Sequence, residues 1–118
     1  MKTHPIAASA TYSHSASASF SRKLTMFHIA RLHYSASVRL ALAADGYDAQ
    51  LSSAWSTLKK AMVELTEARP ASPAELASYA RIVSEYFDDE AIFDSHEACD
   101  VEIALLQAVP RNVNILLG

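Results

Sequence analysis

The stretch LSSAWSTLKKAMVEL, residues 51–65, decides the fold that the sequence predicts. Large apolar side chains recur in it at steps of four, three, four and three: Leu51, Trp55, Leu58, Met62 and Leu65. This spacing places them on one face of an α-helix, with serine, lysine and glutamate on the opposite face. We therefore predict a central helix that is capped at Asp48 or Asp45, ends near Ala68 and lays one face on a core.

The composition fits one small helical domain. The chain has 118 residues and only two glycines, Gly46 and Gly118, so loops that cradle phosphate through several glycines are excluded. Because Cys99 is the only cysteine, an internal disulfide and a thiolate-based structural zinc site are excluded as well. The single cysteine suits a reducing compartment, and we expect a cytoplasmic protein. No catalytic or cofactor motif stands out, so we expect no enzyme activity and no cofactor.

Charge is distributed unevenly along the chain. The net charge is −3, yet residues 1–44 hold five cations and no acid, whereas residues 45–118 hold all 13 acids. Two oppositely charged halves favour two different surfaces, or a head-to-tail contact between copies of the chain. No run of apolar residues approaches the roughly 20 that a membrane-spanning helix needs, so we expect no membrane contact.

Residues 1–22 are rich in serine and alanine and allow three interpretations. A transit peptide is one, since such segments are rich in serine and poor in acids. A flexible tail is the second. The third is an ordered, partly extended arm, because serine occupies every second position from Ser13 to Ser21, which is a strand period. We favour the arm, followed by a helical domain over residues 23–118.

A second helix is predicted from about Leu24 to Ala44, ended by Gly46 in a left-handed conformation. Its predicted core face includes a hydrogen-bonded histidine and consists of Met26, Ile29, His33, Ala36, Leu40 and Ala43. Its predicted solvent face is basic and polar and consists of His28, Arg31, Ser35 and Arg39.

The segment Ser72-Pro73-Ala74-Glu75 carries the clearest helix start in the chain. It combines an N-cap serine, proline at the first helical position and glutamate at the third, so we predict a helix to about Phe87. Its apolar stripe is Leu76, Ala80, Val83 and Phe87, flanked by Tyr79, Ile82 and Tyr86. Core packing is the favoured role for these aromatic residues and for Phe93.

The last third of the chain predicts one more helix and a short strand. Residues 88–93 are predicted to form a turn or a short helical bridge. Asp94 and Glu97 then form a second capping box for a helix that carries Cys99 as a small buried side chain and ends at Pro110. The tail from Arg111 alternates apolar residues and predicts a strand that pairs with the N-terminal arm.

The densest feature that bears on function is acidic. Eight acids fall within eighteen residues without an intervening lysine or arginine: Glu85, Asp88, Asp89, Glu90, Asp94, Glu97, Asp100 and Glu102. Such a set is often only a solvated face with acids at helix N-termini. It also suits a docking surface for a basic protein partner, because rows of carboxylates resemble phosphates and steer association.

Weaker patterns around His96 compete with this interpretation. His96 and Asp100 lie one helical turn apart near Cys99, which is half of a metal site or a thiol–imidazole pair. Neither pattern has further ligands or an orienting group at a recognisable spacing, so we predict no metal site and no catalytic residue. The cations of the first helix are too few to predict direct nucleic-acid binding.

The sequence therefore predicts a mainly α fold, a compact bundle of three to four helices with short β segments at the N- and C-termini. The functional hypothesis is a small non-enzymatic regulator or inhibitor, of the kind that phages and accessory elements carry. In this hypothesis its acidic residues 85–102 dock a basic protein, such as a component of a nucleic-acid-binding complex. The alternative is a structural subunit or homo-oligomer assembled through its termini and its oppositely charged halves.

Overall fold

In the computed structural model, five helices account for most of the residues that the structure describes, which are 4–43, 49–94 and 96–117, with side chains described from residue 19 onward. The helices are α1 (His4–Ala43), α2 (Ala49–Glu67), α3 (Pro73–Phe87), α4 (Glu90–Phe93) and α5 (Asp100–Leu117). No strand occurs among these residues. The fold is the mainly α bundle that the sequence predicts.

Four long helices enclose one core. α1 packs against α2 and α3, and α5 packs against the same two helices, so the four form a ring, and α4 closes it against α1. The predicted face of α2 lies at the centre, with Leu58, Met62 and Leu65 fully buried and Trp55 half-buried. From α3, Tyr79 donates a hydrogen bond to the Leu65 carbonyl oxygen at 3.2 Å, which joins α3 to the end of α2.

The N-terminal segment is helical rather than extended. α1 begins at His4 and continues without interruption through the serine–alanine alternation, so the prediction of an extended arm is wrong. Alanine is the best helix former, and serine and alanine are both weak strand formers. Pro5 lies in the first turn, where a missing amide hydrogen costs nothing. The predicted boundary between residues 22 and 23 falls inside this helix.

The face of α1 that enters the core is not the predicted one. The buried residues are Phe20, Leu24, Phe27 and Ala30, with Ser35 and Ser37 further along. All six residues of the predicted core face are exposed, including His33, which is therefore not a core histidine. The aromatic rings explain the difference: Phe20 packs edge-to-face on Tyr79, and Phe27 does the same on Tyr86, which aligns two pairs of large rings across α1 and α3.

The predicted start of α3 is confirmed. Ser72 is the N-cap, and its hydroxyl oxygen accepts the amide hydrogen bond of Glu75 at 3.2 Å. The Glu75 carboxylate accepts from the amide of Ala71 at 2.7 Å, one residue before the cap. Two amide groups at the start of the helix are thereby satisfied, and α3 ends at Phe87 as predicted.

The boundaries of α5 differ from both predictions for it. The helix begins at Asp100 rather than after a cap at Asp94, and it continues through Pro110 to Leu117, so the predicted C-terminal strand is wrong. One local and one tertiary hydrogen bond hold the turn after the proline. Asn112 is buried and donates to the Ala108 carbonyl oxygen at 2.8 Å, and Arg111 donates to the Thr66 carbonyl oxygen of α2 at 3.0 Å. The bond from Arg111 also satisfies a carbonyl in the last turn of α2.

The predicted connection between the first two helices lies outside the described residues. This applies to the left-handed conformation of Gly46 and to the caps at Asp45 and Asp48. The predicted short bridge after α3 is present as α4, whose N-cap Asp89 accepts the Ile92 amide hydrogen bond at 3.3 Å.

Candidate functional site

The eight acids of residues 85–102 divide into two groups in the folded chain. Three of them, Glu85, Asp89 and Glu102, have their carboxylates engaged by other parts of the protein. The remaining five are exposed and take part in no ion pair within the described residues: Asp88, Glu90, Asp94, Glu97 and Asp100. The eight acids therefore do not form one continuous surface.

Glu102 lies in the core. Its side chain is 0% exposed, and its Oε2 accepts a hydrogen bond from the Tyr86 hydroxyl. Its Oε1 accepts from the Cys99 amide at 2.9 Å and lies 2.8 Å from His96 Nε2. Because Cys99 immediately precedes α5, the bond to its amide is half of a capping box for this helix. Glu102 is a structural residue that ties α3, the segment before α5 and α5 together.

Glu102 and Tyr86 are joined by a hydrogen bond, and their surroundings shift the pKa values of the two groups in opposite directions. Burial acts to raise the pKa of the Glu102 carboxyl, but hydrogen bonds from Tyr86, the Cys99 amide and His96 outweigh it and lower this pKa below its usual value. The pKa of Tyr86 is raised strongly, first by burial and then by the hydrogen bond to Glu102 and its negative charge. The pair is therefore a neutral phenol that donates to a carboxylate.

Part of the charge asymmetry of the sequence is neutralised within one chain. From α1, Arg31 lies 3.1 Å from Glu85 Oε1 and 3.9 Å from Asp89 Oδ2, and Arg39 lies 3.9 Å from Asp89 Oδ1. From α3, Arg81 adds a 3.0 Å contact with Glu85 Oε2. The Arg31 side chain is mostly buried, although the sequence places it on the predicted solvent face. Cations of the basic half thus bind two of the eight acids.

An acidic cleft remains at the junction of α3 and α4. It has a volume of about 480 Å³ and is lined by Phe87, Asp88, Asp89, Glu90, Phe93 and Asp94. α4 places these residues together, because its single turn follows α3 after a two-residue break and carries acids at both ends. The rings of Phe87 and Phe93 stack with their centroids 5.4 Å apart and an interplanar angle of 24°.

The acidic cleft is suited to bind a side chain that has a positive charge at its end and an apolar portion behind it. Within the described residues, Asp88, Glu90 and Asp94 have no cationic partner, so their carboxylates are free to accept charge-assisted hydrogen bonds. The half-buried rings beside them offer apolar contact and cation–π attraction. Lysine and arginine side chains combine these two properties. Four of the eight predicted acids thus lie in one cleft. A sequence search based on charge alone does not identify the two phenylalanines beside them.

His96 and its neighbours among the described residues are arranged around Glu102 and aromatic rings. His96 precedes α5 instead of lying on a helix with Asp100, and its Nε2 faces Glu102. Its ring packs against Trp55 and Phe93, at centroid distances of 5.4 and 5.3 Å. Within the described parts of the chain, no group of three or more histidine, cysteine, aspartate or glutamate residues is arranged to hold a metal ion.

No family model matches the chain, and neither does any curated protein or solved structure. Among the helices in the described residues, none is both long enough and apolar enough to cross a membrane.

Proposed function

We propose that this chain is a small non-enzymatic binding protein, a regulator or inhibitor, that docks a basic protein partner through the acidic cleft. The observation that carries the proposal is the combination of three unpaired carboxylates with two stacked aromatic rings in one cleft of about 480 Å³. An arginine or lysine of the partner enters the cleft, and its aliphatic stem lies against Phe87 and Phe93.

Electrostatics supports a basic partner rather than an acidic or neutral one. Glu97 and Asp100 are exposed in the segment that follows α4 and extend the negative potential beyond the cleft. Exposed charges of one sign raise the association rate with an oppositely charged surface, and salt screens this effect over a Debye length of about 10 Å at 0.1 M. Binding therefore weakens as the salt concentration rises.

A nucleic-acid-handling protein is the partner class that this chemistry fits best. Such proteins present lysine and arginine in a groove built for phosphates, and clustered carboxylates supply negative charge as phosphates do. The chain docked over that groove excludes nucleic acid from it, which gives the small chain its inhibitory role.

The test compares two variants that have the same net charge. The cleft variant carries Asp88→Asn and Glu90→Gln. The control variant carries Glu64→Gln and Glu67→Gln, two exposed acids of α2 outside the acidic region 85–102. Binding to a fluorescent nona-arginine peptide is measured first, at low and moderate salt. Capture from a nuclease-treated native lysate, with mass spectrometry, then identifies the partner.

Wild type and control variant are expected to bind the peptide and retain the same basic protein, whereas the cleft variant loses at least tenfold in affinity for both. Equal loss in the two variants would show that only net charge matters and would refute a specific cleft. Equal retention by all three proteins would refute the acidic surface as a whole.

A further inference from the structure

α1 exposes a long apolar face that no other part of the described chain covers. Met26 and Ile29 are each 59% exposed, Leu32 is 47% exposed and Leu40 is 67% exposed. Four large apolar side chains on one helix exceed the scattered exposure that a monomer usually shows. They lie on the side of α1 that faces away from Phe27 and the core.

The exposed face has the period of a coiled coil. Six exposed residues form this face, and we call them the α1 seam: Met26, Ile29, His33, Ala36, Leu40 and Ala43. They recur at steps of three, four, three, four and three, which is the seven-residue repeat of two helices that pair along a common line. A helix that packs only against the core of its own chain needs one apolar stripe. In α1 a different set of residues forms that stripe, so the core does not require the α1 seam.

We propose that two copies of this chain form a dimer in which the α1 seams pair in antiparallel orientation about a two-fold axis. The axis passes between positions 33 and 36, so that each contact occurs twice. This surface is distinct from the acidic cleft between α3 and α4, and the proposal does not depend on the proposed function.

Side-chain size favours the antiparallel orientation. In this register Met26 faces Ala43 of the second copy, His33 faces its Ala36, and Ile29 faces its Leu40. The layers that contain Met26 or His33 then combine a large with a small side chain, and only the layers of Ile29 with Leu40 pair two large ones. A parallel pair instead places Ala36 against Ala36 and His33 against His33. The layer of two alanines then leaves a gap, whereas the layer of two histidines is crowded.

The residues beside the α1 seam permit close approach of the two helices. On one side lie Ala30 and Ser37, which are small. On the other side lies Leu32, next to the aliphatic stem of Arg39 of the second copy. Arg22 and Lys23 are at the far end of the seam, about 10 Å along the axis from Arg39 of the second copy, so salt screens their repulsion.

The available area sets the expected strength of the dimer. The exposed fractions of the four large side chains correspond to roughly 400 Å² of apolar surface per copy, about half of what a stable interface buries from each partner. Such an interface belongs to the weak class. We therefore expect a dimer that dissociates on dilution.

The first test is the mass of the full chain in solution as a function of concentration, by sedimentation equilibrium. The seam variant carries Ile29→Glu and Leu40→Glu. The matched control carries Leu106→Glu and Ile115→Glu, on α5, at residues that are 52% and 53% exposed. Circular dichroism verifies that each variant keeps the helical content of the wild type, which exposed positions permit.

Wild type and control are expected to dimerise alike, while the seam variant remains monomeric at concentrations at least tenfold higher. A monomeric wild type at several hundred micromolar would overturn the proposal. So would loss of assembly in the control, because α5 would then belong to the interface and the pairing would not be two-fold through α1.

Disulfide cross-linking in a Cys99→Ser background tests the orientation. In the antiparallel dimer, a mixture of chains carrying Met26→Cys and chains carrying Ala43→Cys forms the mixed disulfide, and neither chain cross-links with itself. Self-cross-linking of Ala43→Cys alone would indicate a parallel pair and would overturn the proposed geometry. Absence of all cross-links, with a dimer present, would place the interface elsewhere and overturn it as well.

Discussion

Truncation of Glu102 tests whether the folded chain depends on this acid, the one that is completely buried among the described residues. We expect Glu102→Ala to be among the most destabilising substitutions in the chain, although the sequence places this residue in an acid-rich, apparently solvated segment. The reason lies in the three groups that converge on its carboxylate: the Tyr86 hydroxyl, the Cys99 amide and the His96 ring.

The magnitude follows from the groups that the substitution leaves without a partner. The Tyr86 hydroxyl becomes a buried donor without an acceptor, which costs about 1–3 kcal/mol, and the part-buried Cys99 amide loses a hydrogen bond to a charged group, which costs about 1.5–3 kcal/mol. His96 is partly exposed and regains water, so it contributes less. The expected loss in the free energy of unfolding is therefore about 3–5 kcal/mol. For a domain of this size that corresponds to a fall in Tm of roughly 12–20 °C.

The assay is urea denaturation at pH 7, followed by circular dichroism and by the fluorescence of Trp55, the only tryptophan. Glu97→Ala, which removes an exposed acid five positions earlier, is the matched control and should unfold close to wild type. A loss below about 1 kcal/mol for Glu102→Ala would refute the reasoning, because a buried hydroxyl without an acceptor, together with the lost bond from the Cys99 amide, cannot cost so little.

The pH dependence supplies an independent check with Glu102→Gln. Since the folded pKa of Glu102 is lowered relative to the unfolded chain, its carboxylate adds stability that is fully present above the unfolded pKa of about 4.3 and is lost as pH falls through the lower folded pKa. The difference in stability between wild type and Glu102→Gln should therefore shrink below about pH 4. A difference that stays constant down to pH 2 would contradict this assignment.

Two smaller effects follow from ion pairing and from capping. Arg31→Met should cost about 1–2 kcal/mol in urea denaturation, because a mostly buried guanidinium contacts Glu85 at 3.1 Å. Arg39→Met removes an exposed guanidinium and should change stability little; equal effects of the two would contradict the structural difference between them. Ser72→Ala should cost about 1 kcal/mol by leaving the Glu75 amide of α3 without its cap, and an unchanged urea midpoint would show that the cap is dispensable.

The sequence predicted α2 and α3 closely because their signals are local. In α2, apolar residues repeat with one clear period from Leu51 to Leu65, and the predicted end near Ala68 is within one residue of the observed end at Glu67. In α3, the cap, the proline and the glutamate act within one turn, so no distant contact is needed to set the start.

The candidate site was only partly predictable. Charge density marks residues 85–102, and four of those acids do line the acidic cleft. The same density gives no sign that Glu102 turns inward, because its partner Tyr86 is sixteen residues away and no periodicity relates the two. Nor does it reveal that Asp89 is covered by Arg31 and Arg39, which come from a helix more than forty residues earlier.

Two predictions were wrong for the same physical reason. Where a helix ends and which of its faces is buried depend on the elements that pack against it. α1 has two apolar stripes, and the sequence alone favours the one with the regular seven-residue repeat. The core selects the other, because Phe20 and Phe27 find aromatic partners on α3. At Pro110 the local rule predicts a helix end, yet Arg111 and Asn112 anchor the following turn and α5 continues.

By itself, the sequence determined that this chain is helical, where α2 and α3 lie, and that negative charge gathers after α3. These properties arise from propensity, period and capping, which act over a few residues. Only the tertiary structure decided which face of α1 is buried, which acids remain free, and that Glu102 belongs to the core. Those outcomes depend on the packing of rings and ions that are distant in sequence, and no local pattern encodes such contacts.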